Sequence, residues 1–243
     1  MSDKIFGRNP VLEALKGDRS INKLIIAKGT TGGSLSEIRA KALAKKIPIQ
    51  EVERTNLDSL AEGANHQGVM ALVAARDYVE VEDILAIAKQ KGEDPLILLL
   101  DEIEDPHNLG AILRSADGAG AHGVIIPKRR SASLTETVAK ASAGAVEYVP
   151  VARVSNIAQT IEVLKQQGIW IVGADALGDK VYWEQDMTGP LGIVVGSEGK
   201  GIGRLIKEKC DFLVGIPMKG KISSLNASVA TSLILFEVLR QRR

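Results

Sequence analysis

Polar side chains that could bind a ligand or stabilise a developing charge are concentrated in three short stretches of this sequence. DPHNLGAILR carries Asn108 and Arg114, GSEGKG carries Glu198, and KISSLNAS carries Ser224 and Asn226. A guanidinium is a good clamp for a phosphate, and hydroxyl and amide groups can orient a substrate. Each residue type also has a structural use, because Asn and Ser favour helix N-caps, where we place Asn108, and arginine solvates surfaces. The chemistry therefore depends on what brings the three stretches together.

The elements around these stretches predict a parallel α/β sheet. From residue 95 onward, apolar runs typical of buried strands alternate with helical patterns. The predicted strands cover 96–100, 123–127, 170–174, 191–196 and 212–217, and the predicted helices cover 108–119, 136–143, 157–167, 202–209 and 225–240. Such sheets bind ligands at the carboxyl ends of their strands. The loops 102–110, 196–203 and 218–226 follow predicted strands, so we expect them to form one site.

The residues before 95 predict a smaller, separate α/β unit. Helical patterns over 10–16 and 34–46 accompany strand patterns over 23–27, 47–52 and 68–75. Residues 77–94 are charged, contain a short helical pattern over 81–89 and end at Asp94 and Pro95, a natural breakpoint. The predicted organisation is a first domain over 1–76, a linker over 77–94 and a second domain over 95–243.

The composition favours a cytoplasmic protein without a metal site or a membrane segment. The chain has 243 residues, of which 45% are apolar and 3% aromatic, and its net charge is +1. Its longest aliphatic run, 96–100, is far shorter than the ~20 residues that cross a bilayer, and its start lacks an apolar signal core. The single cysteine, Cys210, fits a reducing compartment, and three scattered histidines give no zinc pattern.

The glycine-rich loop 196–201 matches neither of two common nucleotide-binding motifs. A phosphate-binding P-loop requires Gly where Val194 stands and Ser or Thr where Gly201 stands. A dinucleotide fingerprint requires G-x-G-x-x-G, whereas the spacing here is G-x-x-G-x-G. The loop either brings bare backbone close to a ligand, with Glu198 projecting from it, or only turns a strand into a helix.

Three groups of basic residues could contact phosphates, although such groups usually form solvated surfaces. They are the run Lys128, Arg129 and Arg130, the set Lys200, Arg204, Lys207 and Lys209, and the terminal Arg240, Arg242 and Arg243.

Three motifs, in this order, resemble those of the SpoU or TrmH family of RNA ribose 2'-O-methyltransferases within the SPOUT superfamily. They are NLGAILRSADGAGAHGVII over 108–126, IVVGSEGKGI over 193–202 and IPMKGKISSLNASVATSLILFE over 216–237. Nearer the start, GRNPVLEAL over 7–15 and HQGV over 66–69 resemble the RlmB-like branch, which methylates a guanosine of large-subunit ribosomal RNA. The motif positions show no departure from the family pattern.

The resemblance implies S-adenosylmethionine as methyl donor, with no metal. It also implies a C-terminal SPOUT α/β domain with a trefoil knot, after a small ribosomal-protein-like α/β substrate-binding domain. In that fold the cofactor lies among the three loops. The implied cofactor-binding residues are Gly196, Ile216, Ser224 and Leu225.

The resemblance assigns Arg114 to the reacting hydroxyl, and the other residues to ordering the site: Asn108, Glu198, Ser224 and Asn226. Because the arginine guanidinium stays charged in proteins, we expect Arg114 to stabilise the developing alkoxide, and the proton acceptor is left open. The last predicted helix has an apolar surface wider than one stripe, and the family forms dimers, so we expect a homodimer.

Several alternatives stay open at this stage. The substrate could be transfer RNA instead of ribosomal RNA. A non-catalytic RNA-binding module would have no reason to combine Asn108, Arg114, Glu198, Ser224 and Asn226, and a dinucleotide-dependent oxidoreductase would need the missing fingerprint. We expect residues 1–76 to select the RNA, with Lys23, Arg39, Lys41, Lys45 and Lys46 as candidates to line a groove; buttressing the second domain is the alternative.

Overall fold

The chain divides into two compact units in the computed structural model, which describes residues 2–17, 21–74 and 78–243. The first unit comprises Met1–Asp77 and Ser133–Tyr148, and the second comprises Tyr78–Ala132 and Val149–Arg243. Both are α/β structures, as the sequence predicts. Among the residues described, no helix combines the length and the apolar character needed to span a bilayer.

The first unit is built on a four-stranded sheet with the order β1-β4-β2-β3. Its strands are β1 (Ser2–Phe6), β2 (Ile21–Ala27), β3 (Ile49–Val52) and β4 (Val69–Ala74), and its first three helices are α1 (Arg8–Lys16), α2 (Gly33–Ala44) and α3 (Arg54–Ala61). Because strand side chains alternate between faces, Leu24 and Ile26 join a core with α1 and α2, while Ile25 packs with Leu57 of α3. The sequence analysis missed β1 and α3, and Ala75 of the predicted strand 68–75 lies outside the described residues.

Two segments group differently from the predicted domain boundaries. The predicted linker 77–94 forms helix α4 (Val81–Lys91), whose Ile84 is fully buried in the core of the second unit with Ile97 and Leu99. Residues 133–148, expected in the second domain, form α6 (Glu136–Ala141) and a short 3₁₀ turn in the first unit, where the Tyr148 hydroxyl donates to Glu13 at 2.6 Å. Sequence pattern predicts a helix but not the surface on which it packs.

The second unit contains a seven-stranded sheet with the order β7-β6-β5-β10-β8-β11-β9, and every pairing in it is parallel. The strands are β5 (Leu96–Asp101), β6 (Gly123–Pro127), β7 (Val151–Val154), β8 (Trp170–Ala174), β9 (Lys180–Val181), β10 (Leu191–Gly196) and β11 (Phe212–Gly215). All residues of β5 and β10 are buried, as expected for strands covered on both faces. The sequence analysis missed the short β7 and β9.

Helices cover both faces of this sheet. They are α4, α5 (Pro106–Gly118), α7 (Ile157–Gln166), α8 (Arg204–Lys207) and α9 (Ala227–Gln241). Residues of α4 and α7 share a core with β5, β6, β8 and β10, whereas α5 packs against β6 and α9, and α9 packs against β10. The predicted helix 202–209 is shorter than expected, since Gly203 precedes its first residue and only four residues are helical. Parallel pairing places the ends of all strands at one edge, here called the carboxyl edge, and their starts at the opposite amino edge.

Candidate functional site

The three polar loops meet at the carboxyl edge, where Asn108, Glu198 and Asn226 form a hydrogen-bonded amide–carboxylate cluster. Glu198 Oε1 accepts from Asn108 Nδ2 at 3.0 Å and, over a shorter contact, from Asn226 Nδ2. Asn226 Nδ2 also donates to Asn108 Oδ1 at 2.9 Å. Residues separated by up to 118 positions in sequence are thus brought together by strand order. The three loops that the sequence analysis expects to form one site thus meet through these three side chains.

Asn108 is available to this cluster because it does not cap its helix, contrary to the sequence analysis. Helix α5 begins earlier than predicted, at Pro106, and Asp105 is its N-cap, accepting from the His107 N–H at 2.9 Å. Proline is favoured at the first helical position and Asp directly before it, so Asp105 fits the cap better than Asn108. Asn108 therefore lies in the first turn, with its amide directed to Glu198.

Asn226 has two roles at once. It is the N-cap of α9, where its Oδ1 accepts from the N–H groups of Ser228 at 2.9 Å and Val229 at 3.3 Å. Its Nδ2 is left free to bind Glu198 and Asn108. The predicted cap in this loop is confirmed, although α9 begins at Ala227 and not at 225. The cap therefore fixes the orientation of the amide that joins the cluster.

The glycine backbone of the loop 196–201 makes its close contacts within the loop. The N–H of Gly201 donates to the Ser197 carbonyl at 2.8 Å, which closes a tight turn, and Gly199 and Gly201 have φ of 83° and 65°. A Cβ on Gly196 would stand 2.0 Å from the Gly201 carbonyl carbon, so only glycine fits there. The sequence analysis suggested a close approach of Gly196 to a ligand; in the structure, the close approach at Gly196 is to Gly201 of the same loop.

Asp101, the last residue of β5, was missed by the sequence analysis. Its Oδ2 accepts from the Gly203 N–H at 2.8 Å and so ties the start of α8 to the end of β5. Burial, the largest influence, raises the pKa of this carboxyl above its ordinary value, and nearby Glu102 adds to the rise, while the bond from Gly203 opposes it. The sequence contains a signal for this residue, namely an acidic side chain directly after the apolar run 96–100.

A cavity of about 410 Å³ lies beside the cluster, at the ends of β8, β10 and β11. Its apolar wall includes Leu177, Val195, Ile216 and Leu225, and its polar lining includes Asp175, Ser197, Glu198, Lys207, Ser223 and Ser224. All four residues predicted to bind the cofactor line this cavity, since Gly196 contributes as well. The volume lies within the ~300–1,000 Å³ of small-molecule sites. An apolar wall with a few charged and hydroxyl groups fits a ligand that has both a flat apolar ring and charged ends.

Asp175 and Lys207 form an ion pair in this wall that the sequence analysis did not single out. Burial acts to raise the pKa of Asp175, but hydrogen bonds from Lys207 and from the Leu177 N–H, with the Lys207 charge, outweigh it, so the pKa is lowered. The carboxylate therefore stays ionised at neutral pH. Asp175 directly follows the predicted strand 170–174, and the strand-end rule could have included it.

Arg114 lies on α5 with its side chain exposed, whereas Ile112, Leu113 and Ala116 of the same helix are buried. Within the described ranges, no residue forms a hydrogen bond or an ion pair with its guanidinium, and it is not part of the cluster. Nor do these ranges contain a group of three or more His, Cys, Asp or Glu side chains arranged to hold a metal ion. The site thus combines an internally bonded cluster and a cavity, and Arg114 lies on α5 outside both.

Comparison with known proteins gives two family matches that together cover most of the chain. Residues 95–236 match the SpoU rRNA Methylase family, and residues 4–79 match the family described as RNA 2'-O ribose methyltransferase substrate binding. A relative from Bacillus subtilis (strain 168), provisionally named TrmH family tRNA/rRNA methyltransferase YacO, is 52% identical over 240 residues, covering 99% of this chain and 96% of the relative.

Two solved structures with bound cofactor are also similar to this chain. The SpoU methyltransferase AviRb from Streptomyces viridochromogenes, in complex with AdoMet, has a TM-score of 0.83 at 26% identity, covering 99% of this chain and 90% of that one. An AdoMet-bound rRNA methyltransferase from Sinorhizobium meliloti has a TM-score of 0.80 at 26% identity, covering 98% and 87%.

Proposed function

Since the chain belongs to the SpoU methylase family, we propose that it transfers a methyl group from S-adenosylmethionine to the ribose 2'-hydroxyl of an RNA nucleotide. The observation that carries this proposal is the convergence of the three motif loops on one site. The amide–carboxylate cluster of Asn108, Glu198 and Asn226 adjoins a cavity lined by Gly196, Ile216, Ser224 and Leu225. Similar proteins of known structure bind AdoMet, which supports the choice of cofactor.

The residues around the cavity fit this cofactor by their chemistry. S-adenosylmethionine has a flat adenine, a ribose diol, a cationic sulfonium and an amino-acid end. Ile216, Leu225 and Val195 offer apolar surface for the adenine, while the hydroxyls of Ser223 and Ser224 can bond polar groups. When bound, the sulfonium supplies an activated methyl group, so orientation and proton removal are the tasks left to the protein.

Each catalytic residue has a role in this proposal. Glu198 holds both amides of the cluster, so it fixes the loop 196–203 against the starts of α5 and α9. Asn226 keeps this geometry through its cap of α9. Arg114, exposed and without a partner among the described residues, is free to bind a substrate phosphate or the developing alkoxide. The proposal names no residue as the acceptor of the hydroxyl proton.

We further propose that the substrate is a guanosine of large-subunit ribosomal RNA and that residues 4–79 select it. The motifs GRNPVLEAL and HQGV support the RlmB-like branch, and the match of residues 4–79 to a substrate-binding family supports the role of the first unit. Transfer RNA is the alternative, and the provisional name of the Bacillus relative includes both RNAs. The trefoil knot and a cytoplasmic location are also carried over from the family as proposals.

A homodimer through α9 is supported by apolar residues that the chain leaves uncovered. Val229, Leu233 and Phe236 are 46%, 39% and 49% exposed. Their spacing of four and three residues places them on one face of the helix. A second copy of the chain would cover this face, and sedimentation at micromolar concentration would detect it.

Methyl transfer from labelled S-adenosylmethionine tests the proposal directly. Purified protein is incubated with large-subunit ribosomal RNA or with transfer RNA, and the RNA is digested to nucleosides for mass spectrometry. We expect 2'-O-methylguanosine from ribosomal RNA, with or without a chelator. A methyl group on a base, or cofactor binding without transfer to either RNA, would contradict the proposal, and transfer only to transfer RNA would favour the alternative substrate.

A further inference from the structure

The turn after β6 carries three consecutive exposed cations, Lys128, Arg129 and Arg130, and it is held rigidly at the carboxyl edge. The Lys128 N–H donates to the Val154 carbonyl at 2.8 Å, and the Ala132 N–H donates to the Ile103 carbonyl at 2.8 Å. The turn is thus bonded to the last residue of β7 and to the segment that follows β5. Its charged side chains are presented from a fixed backbone and not from a loose loop.

Cations in the described part of the second unit differ in whether an acid pairs with them. Lys165 pairs with Asp211 and Lys209 with Glu162, whereas Lys89 and Lys91, at the end of α4, form no ion pair with any described residue. At the carboxyl edge, Lys128, Arg129 and Lys200 likewise form neither an ion pair nor a side-chain hydrogen bond with any described residue. Lys128 and Arg129 differ from the lysines of α4 in that they are adjacent on the turn after β6, at the same end of the sheet as the amide–carboxylate cluster, where an anionic partner could bind both.

Arg130 is the member of the turn that has a partner. Its Nη1 donates to Glu102 Oε1 at 2.7 Å, and Glu102 directly follows β5. Both residues have left-handed backbone, with φ of 55° and 56°, which costs free energy in residues other than glycine. The Arg130 side chain is still 71% exposed, so the pair holds the guanidinium in place without covering it.

The strand order decides which side of the cluster is open to the RNA. The cavity occupies the ends of β10, β8 and β11, and the amide–carboxylate cluster lies between β5 and β10. On the other side of the cluster come β5 and then β6 with its cationic turn. A ribose that reacts at the cluster must have its flanking phosphates on the side that the cofactor does not fill.

We propose that the RNA backbone next to the target nucleotide lies over the ends of β5 and β6, with its phosphates bound by Lys128, Arg129 and Arg130. This inference rests on the proposed function, since it places the substrate of that same site. Contacts of this kind add affinity and register without reading the base sequence. Recognition of the target would then be divided between residues 4–79, which select the RNA, and the turn, which positions the strand that enters the site.

A charge-neutral double variant, Lys128→Gln with Arg129→Gln, tests the proposal against a matched control. The control is Lys89→Gln with Lys91→Gln, which removes the same charge from exposed residues at the end of α4, near the amino edge. Binding of a fluorescein-labelled ribosomal RNA fragment is measured at several salt concentrations. We expect about a tenfold weaker affinity for the first variant at low salt, and a salt slope smaller by about 1.4, as two lost phosphate contacts predict for single-stranded RNA. The control should bind as the wild type does.

Glu102→Gln should change the RNA affinity in the opposite direction. Freeing Arg130 from its carboxylate partner should raise RNA affinity by about threefold, the effect of about one added phosphate contact. If the turn variant and the control lose affinity equally, or if Glu102→Gln does not gain any, the assignment of phosphates to this turn is wrong. Cofactor affinity and melting temperature, measured on the same samples, should stay unchanged and would reveal a folding defect. Failure of the proposed function has a different signature, namely a wild-type protein that binds RNA but transfers no methyl group.

Discussion

Two arginines of the second unit, Arg242 at the amino edge of the sheet and Arg114 on α5, differ in every contact. At the amino edge, Arg242 donates to the carbonyl oxygens of Asp94 at 2.9 Å, Pro95 at 3.2 Å and Gly189 at 2.5 Å. On α5, Arg114 is exposed and bonds to no described residue. The first arginine joins the C-terminal end of the chain to the segments that lead into β5 and β10, whereas the second has its donors available.

A similar difference in how polar groups are bonded separates the two edges of the sheet. At the amino edge, His122 is 2% exposed, accepts from the Leu96 N–H at 3.0 Å and bonds Glu93 at 3.1 Å. These groups satisfy one another, as buried polar groups in a stable structure do. At the carboxyl edge, charged and amide groups remain open to solvent beside a cavity. Substitutions at the amino edge should therefore change mainly the free energy of unfolding, and substitutions at the carboxyl edge should change mainly ligand binding or turnover.

The largest expected effect is on turnover, from Arg114→Ala. Removing a donor that stabilises charge in the transition state costs about 10²–10³-fold in kcat, equivalent to about 2.7–4 kcal/mol. Because Arg114 forms no contact that holds the fold, its loss should leave the melting temperature and cofactor affinity unchanged. Single-turnover methyl transfer and calorimetric titration measure the two quantities.

Arg114→Lys sharpens this prediction, because it keeps the charge but loses the planar fork of donors. We expect it to recover only part of the lost turnover. A clear fall in cofactor affinity or melting temperature in the alanine variant would show that Arg114 supports the site structurally, and the contrast between the two arginines would then fail.

The next largest effect compares the two ends of β10. Gly196→Ala at the carboxyl edge would place a Cβ 2.0 Å from the Gly201 backbone, so the loop 197–201 must move. Gly189→Ala, at the amino edge, meets no atom within 4 Å. We expect the first change to cost about 1–3 kcal/mol of stability and to weaken cofactor binding at least about tenfold. The second should stay within about 0.5 kcal/mol of the wild type. Equal behaviour of the two variants in denaturant unfolding and titration would contradict the prediction.

Local patterns predicted much of the second unit and of its site. The apolar run of β5 and the polar run before α9 are local signals, and both the buried strand and the Asn226 cap were found. The strand-end rule placed the three loops at one edge, where Asn108, Glu198 and Asn226 meet. The misplaced cap of α5 was an error in weighing signals, because Asp105 before Pro106 is the stronger start.

Other features depend on contacts that no local pattern contains. Strand β1 has a mixed polar sequence and is identified only by its antiparallel register with β4, nearly seventy residues later. A helix was predicted over 136–143 and is observed over Glu136–Ala141, but its place in the first unit depends on distant residues such as Glu13. Of the predicted basic groove, Arg39 is paired with Glu51 and Lys45 with the Gly17 carbonyl, and composition alone could not reveal these partners.

Arg242→Ala should have the opposite pattern of effects to Arg114→Ala, with a loss of stability and no loss of turnover. Its three bonds to carbonyl oxygens would be lost, two of them in partly buried surroundings, and we expect a loss of about 2–3 kcal/mol in the free energy of unfolding. Methyl transfer per folded molecule should be unchanged, since the bonds lie at the edge away from the cluster. Urea unfolding and an activity assay well below the melting temperature separate the two effects. Lost turnover in a fully folded sample would mean that the amino edge also shapes the site.

The smallest predicted effect is a pH dependence that comes from His122 at the amino edge. Burial, the largest influence, lowers the pKa of this imidazole below its ordinary value of 6.5, and Glu93 only partly opposes the shift. The unfolded chain therefore binds a proton near pH 6.5 that the folded chain does not. Stability from this group is complete above that pH and falls as the pH drops towards the folded pKa.

Between about pH 7.5 and 5.5, the wild type should lose at most about 1.4 kcal/mol of unfolding free energy through this histidine. His122→Gln removes the titrating group while keeping an acceptor for the Leu96 N–H, so its stability should be lower overall but flatter over the same interval. Urea unfolding of both proteins at the two pH values measures the difference. Parallel losses would mean that other groups cause the dependence. A loss confined to the wild type would show that mild acid weakens the amino edge first, through a group at the end of the strands opposite the amide–carboxylate cluster.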